Sequence, residues 1–387
     1  MKYILAIDSY KGSMTAEEAC RAAAEGLRDA DPNAECILLP LADGGEGSAS
    51  AIMSAMGGEV HPCRVTGPFG ENAQGYFGIL KQDGVAPELI VLDTAAASGI
   101  MLAKAHGLDP LRASTWGTGR QIVRAIESGC RNVIVGLGGS GTNDGGIGAL
   151  AALGGRFFDR DGSELNGRGG GEILEQIDRI DLSGLHPLLR ETRLRLVYDV
   201  AIPLTGEHGC SLNYSAQKGA TTETMPRLEA GMCHYAKAIK HSLGIDPDEC
   251  PGAGAAGGLG CGLMLAGGEL VEGAPFVLDV TGFSEKAKDV DLVITGEGKT
   301  DAQTASGKLP VAVAARAKAL GKPVVCICGC AEPTEAVYDA GIDAVFSITN
   351  RPMRLEDSIR NGKTLIRTTC YNIAKFYLAL HMTKHLD

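Results

Sequence analysis

Carboxylates recur at the ends of short apolar runs along this chain: Asp8, Asp43 with Glu46, Asp144, Asp199, and Glu297 with Asp301. Most of them stand beside glycine. A single acid at a strand end is an ordinary turn or helix cap. A repeated pairing of acid with glycine loop has a more specific chemistry, because carboxylates near phosphate need a divalent cation or a transferable proton between them. Such acids can ligate Mg²⁺, hold water, or take the proton of an attacking hydroxyl. Lys11, Lys218, Lys299 and Lys308 lie in the same kind of loop and would neutralise phosphate or a substrate carboxylate.

The densest glycine segment runs from Gly136 to Gly146, after the β-branched stretch Asn132-Val133-Ile134-Val135. Gly138, Gly139, Ser140, Gly141, Thr142 and Asn143 form its middle, with Asp144 next. Glycine lets backbone N–H groups approach an anion, and the following helix start adds partial positive charge. A second run, Pro251 to Gly258, contains Gly254, Gly257 and Gly258. Both runs match Gly-x-Gly-x-x-Gly, and Asp159 lies about 20 positions beyond the first, so an NAD-dependent dehydrogenase is a rival reading. Against it, Asp144 occupies the loop where pyrophosphate should lie. A third class, a non-catalytic sensor of phosphorylated metabolites, could use the same loops without turnover. Gly298-Lys299-Thr300 is not a Walker loop, because Val293 replaces the required first glycine.

The other nucleophile and metal signatures are weak. The eight histidines are dispersed, and no serine has a specified base. The 12 cysteines are scattered, and Cys326, Cys328 and Cys330 alternate along one strand without metal-site spacing. Reduced core thiols, and with them a cytoplasmic location, are expected.

The elements that must position these groups alternate strand, loop and helix. Strands are expected at Tyr3–Ile7, Cys36–Leu39, Asn132–Val135, Leu194–Tyr198, Asp291–Thr295, Val324–Ile327 and Ala344–Ile348. Helices are expected from about Thr15, at Ile147–Leu153, Pro310–Leu320 and Thr364–His381. Ligands of open parallel sheets gather at the carboxyl ends of the strands, where the acids stand. The expected fold is therefore α/β with two unlike domains. A Rossmann-like parallel-sheet domain is formed by both chain ends, residues 1–62 and 286–387, and a glycine-rich α/β domain, residues 63–285, is inserted.

With 387 residues, 44% apolar, 21% charged and a net charge of −11, the chain reads as a globular protein with no affinity for nucleic acid or anionic membrane. No apolar run reaches the roughly 18 residues of a membrane span. The acidic balance does not exclude a small anionic ligand, and homo-oligomerisation is left open.

In sum of motifs the chain resembles the bacterial glycerate kinase family. The likeness is carried by Asp8 to Ser13, Ala42 to Gly47, Val65 to Pro68, Ala95 to Gly99, Gly117 to Gly119, the Gly136 to Gly146 run, Gln217 to Ala220, Pro251 to Gly260 and Thr295 to Gly298, in the family's order. The resemblance implies phosphorylation of D-glycerate, most often at the 2-hydroxyl, with ATP as co-substrate and Mg²⁺ as cofactor, in organic-acid catabolism. A related small hydroxy acid is the alternative substrate. Within this reading Asp8, Lys11, Asp144 and Asp199 are expected to be catalytic. Gly138 to Asn143, Gly254, Gly257, Gly258, Lys218, Glu297 and Asp301 are expected to hold the nucleotide, and Asp43 and Glu46 the metal. The chain departs from the family at Tyr198–Leu204, where Ile202 replaces the usual asparagine. That segment is expected to face the hydroxy acid.

Overall fold

The computed structural model describes residues 1–45, 47–81, 87–302 and 304–383. It divides into two compact units. One comprises Met1–Asp43, Ser54–Gly57 and Ala274–Asp387, the other Gly44–Met53 and Gly58–Gly273. Both are α/β and both are built on parallel strands. The chain first passes between units after Asp43, earlier than the expected residue 62. The reason is the Asp93 carboxylate, which accepts hydrogen bonds from the N–H groups of Gly47 (3.2 Å) and Ala49 (3.1 Å) and so ties that stretch into the second unit.

The first unit holds a five-stranded parallel sheet. Its order is Ala344–Ser347, Val324–Ala331, Leu292–Thr300, Lys2–Ile7 and Glu35–Pro40. The register pairs Ile7 with Pro40 on one side and with Gly296 on the other. Asp8, Glu297 and the Leu41–Asp43 stretch therefore fall along one edge of the sheet. Tyr3, Leu5 and Ile7 alternate along their strand and pack on the helix Ala16–Ala30. Thr15 caps that helix: its hydroxyl accepts from Glu18 N (3.2 Å) while the Glu18 carboxylate accepts from Thr15 N (3.0 Å). The last helix, Leu355–Thr383, starts earlier than expected and lies against Ala16–Ala30. Gly26 makes that crossing possible, since a Cβ there would collide with the Arg367 carbonyl.

The second unit holds a six-stranded sheet in the order Glu269–Glu272, Arg193–Tyr198, Asn132–Gly136, Leu89–Asp93, Asn72–Leu80, Glu59–Thr66. The first four strands are parallel, and the last two form an antiparallel hairpin at the edge. Sequence reasoning did not separate this hairpin. Its inner strand keeps Tyr76 and Phe77 only half-buried, so no continuous apolar run marks it. Val133, Val135, Leu194, Leu196, Ile147, Leu150 and Tyr235 belong to one buried cluster. Among the described residues no helix is long and apolar enough to cross a membrane, and all 12 cysteines are free thiols.

Candidate active site

In the first unit the site grows from the loop after Lys2–Ile7. Tyr10 anchors it: its buried hydroxyl donates to the Ile327 carbonyl (2.7 Å), and its N–H donates to Met14 O (3.0 Å). Lys11 follows on the exposed turn. It borders an open pocket of about 900 Å³ over the ends of the strands Leu292–Thr300, Val324–Ala331 and Ala344–Ser347, together with Ser13, Gly298, Cys330 and Arg351. Asp8 is half-buried beside this loop and accepts from Ser9 N (2.6 Å). Burial, with Asp43 and then Glu297 as like charges nearby, pushes its carboxyl up to about 7, against the opposing pull of Ser9 N–H and Lys11. Glu297 is buried and accepts from the Thr304 (2.7 Å) and Thr300 (3.1 Å) hydroxyls. Burial raises its pKa as well. Asp301 lies 3.3 Å from the Lys299 ammonium, which also pairs with Glu332 at 2.9 Å. Glu46 lies outside the described residues.

This arrangement suits a hard cation in one respect. Asp8 and Asp43 are carboxylates on adjacent strand ends whose repulsion a divalent ion would relieve, and Mg²⁺ commonly takes one or two carboxylates plus phosphate oxygens and water. Among the described residues no three acidic, histidine or cysteine side chains form a ready-made metal cage. A cation here would depend on ligands from substrate.

In the second unit the two glycine runs meet each other. Gly145 N donates to Gly257 O (3.0 Å). A Cβ on Gly257 would strike the Thr142 carbonyl, and one on Gly258 would come within 2.5 Å of Gly145 Cα. Thr142, Asn143, Gly141, Gly254, Gly257 and Gly258 are buried, whereas Gly138 and Gly139 keep partial exposure and Ser140 is 8% exposed. Only the tip of the first run therefore has surface to offer an anion. The rest uses glycine for close backbone packing. Ala256, Gly257 and Gly258 all take positive φ, which interrupts the start of the helix Ala255–Leu265.

Asp144 is fully buried and engaged. Thr115 donates to it through N–H and hydroxyl, both at 2.8 Å, and Gly146 N (3.1 Å) and Gly148 N (3.3 Å) complete the set. Burial raises its pKa against these donors. The carboxylate caps the helix Ile147–Ala152 and fastens it to the start of the helix Trp116–Glu127. It has no face open to ligand. Lys218, 2% exposed, donates to Ser140 Oγ (2.9 Å) and Thr142 O (2.7 Å). Burial pushes its ammonium down to about 8. Asp199 is exposed at the end of Arg193–Tyr198. Ile202 packs against the buried core, and its carbonyl accepts from Gly254 N (2.9 Å).

Two residues missed in the sequence organise this unit. Asp93 is fully buried and accepts from Tyr76 OH (3.0 Å) besides Gly47 and Ala49. It ends the apolar run Leu89–Asp93, the same signal that marked the other acids. Thr115 carried no signal, since its role depends on a partner 29 residues away. Asp159, the acid a dinucleotide fold would turn to a ribose, instead accepts from Asp161 N and Ser163 N in its own turn, both at 2.9 Å.

Comparison with known proteins agrees with the motifs. The model of the Glycerate kinase family matches residues 3–378. A protein of Halalkalibacterium halodurans named Glycerate kinase is 42% identical over 373 residues, covering 96% of this chain and 97% of its own. One of Escherichia coli K12 named Glycerate 2-kinase is 42% identical over 376 residues, covering 97% of each. A crystal structure from Salmonella typhimurium LT2, of a protein described as glycerate kinase 2, superposes with a TM-score of 0.83 at 39% identity, covering 98% of this chain and 99% of that one. Fold and relatives together define a phosphotransferase that uses an alcohol group as acceptor. The chain belongs to the glycerate kinase family.

Proposed function

We propose that this enzyme transfers the γ-phosphoryl group of ATP, with Mg²⁺, to the 2-hydroxyl of D-glycerate, giving 2-phospho-D-glycerate for organic-acid catabolism. The observation that carries this reading is the Asp8–Asp43 acidic pair with Lys11 beside a pocket of nucleotide size, about 900 Å³. The name of the Escherichia coli relative supports the 2-hydroxyl.

Asp8, with a carboxyl near 7, is matched to accept the hydroxyl proton as the oxygen attacks phosphorus. Lys11 would neutralise charge on the transferred group. Asp43 would hold Mg²⁺, whose chemistry when bound is to offset the charge of the phosphate oxygens. Glu297, held by two threonine hydroxyls, adds to the field at Asp8. Asp199 keeps an exposed strand-end position in the second unit. Asp144 and Lys218 support the reading as positioning residues, because their polar atoms are committed to the glycine loop and its neighbours. The dehydrogenase alternative loses its support, since Asp159 is spent on its own turn.

The test is phosphorus NMR of the purified enzyme with D-glycerate, ATP and Mg²⁺. The expected product carries phosphate at C2, with one ADP formed per product and no turnover after chelation. A C3 product, or a donor other than ATP, overturns the corresponding part.

A further inference from the structure

The helix Trp116–Glu127 carries Arg120 and Arg124 one turn apart on one face. With Arg168, brought in from a distant loop, they border a pocket of about 360 Å³ whose other walls include Thr66, Trp116 and Gln121. Like charges at this helical spacing are mutually destabilising. Among the described residues no carboxylate lies within ion-pair distance of any of the three. Arg124 donates to the Arg64 carbonyl (2.7 Å), and the Arg168 guanidinium stacks 4.2 Å above the Trp116 ring. The chain has 47 acidic residues against 36 basic ones, so three guanidinium groups gathered without an acid are not a product of composition.

We propose that this pocket is a binding site for a small phosphorylated carboxylic acid. Planar guanidinium forks match phosphate and carboxylate oxygens, which explains three arginines better than a single-charged ligand would. The site does not use Asp8, Lys11 or Asp43, so it stands whether or not the nucleotide assignment above holds.

Trp116 is the single tryptophan of the chain, which places the fluorescent reporter at this pocket. The experiment titrates the full-length protein with 3-phosphoglycerate, 2-phosphoglycolate, inorganic phosphate and D-glycerate. The expected result is a saturable change with 3-phosphoglycerate, at least about tenfold weaker binding in Arg120→Gln and in Arg124→Gln, and unchanged binding in Lys11→Met. Inorganic phosphate and D-glycerate, each carrying one of the two anionic groups, should bind more weakly than 3-phosphoglycerate. No saturable change, or equal affinity in the arginine variants, overturns the site. Loss of the signal in Lys11→Met assigns the binding to the first unit and overturns it equally. Binding of inorganic phosphate as tight as that of 3-phosphoglycerate overturns the selection for a carboxylate.

Discussion

Lys218 Nζ lies 2.9 Å from Ser140 Oγ and 2.7 Å from Thr142 O, in a place only 2% exposed. A lysine from one short helix thus ties down the glycine loop that follows the strand Asn132–Gly136. Lys218→Met leaves the Thr142 carbonyl without this donor and should destabilise the fold by about 1–3 kcal/mol in urea melts. Because burial lowers the Lys218 pKa to about 8, below its unfolded value, the unfolded chain binds more protons above pH 8. The parent should therefore gain stability relative to Lys218→Met as pH rises from 8 towards 10.5. An unchanged difference across that range would show that the ammonium is not strained by burial.

Asp8 is expected to exchange stability for chemistry. Its folded carboxyl sits near 7 against an ordinary 3.8, so the folded state binds more protons between these values. Its contribution to stability is present in acid and is lost as pH rises to 7. Asp8→Asn should be more stable than the parent above pH 7 by about 1–4 kcal/mol in Mg²⁺-free buffer. It should also lose at least about a hundredfold in kcat. A variant that is less stable at pH 8 would place Asp8 in a favourable hydrogen-bond network rather than beside like charge.

Asp144→Asn should act through the fold. The amide cannot accept on both of its atoms from Thr115, Gly146 and Gly148, so at least one buried donor loses its partner. We expect a loss of about 1–3 kcal/mol by thermal or urea unfolding. KM for nucleotide should stay within about threefold once the protein is folded. A large fall in kcat with unaltered stability would return Asp144 to the chemistry.

Ile202→Asn tests the departure from the family. Ile202 packs on the apolar core, and its carbonyl holds Gly254 N. The polar replacement should lower stability by roughly 1–3 kcal/mol, as burial of an unpartnered amide does. The ratio of kcat/KM for glycerate over less hydroxylated acids should change by less than about threefold. A sharp gain in that ratio would put the side chain in the substrate pocket.

Much of this protein is legible in its residues one after another. Short apolar runs ending in acid or glycine mark Lys2–Ile7, Asn132–Gly136, Arg193–Tyr198 and Leu292–Thr300, because strand propensity and turn chemistry are local. The Thr15–Glu18 cap is local in the same way. The order of motifs carried the family, since it covers the whole chain. What each acid does was not legible. Asp8 directly follows its strand and Asp144 lies within the loop after another, yet both read as acids of a strand-end loop. Asp8 is pushed towards neutrality by burial and then by an acid just beyond the next strand, 35 positions away, whereas Asp144 is consumed by Thr115, which precedes it by 29. Likewise the glycines of the two runs read as one phosphate cradle, yet most face one another. A backbone–backbone approach and an anion cradle require the same residue, and only the tertiary fold decides which partner fills the space a Cβ would occupy.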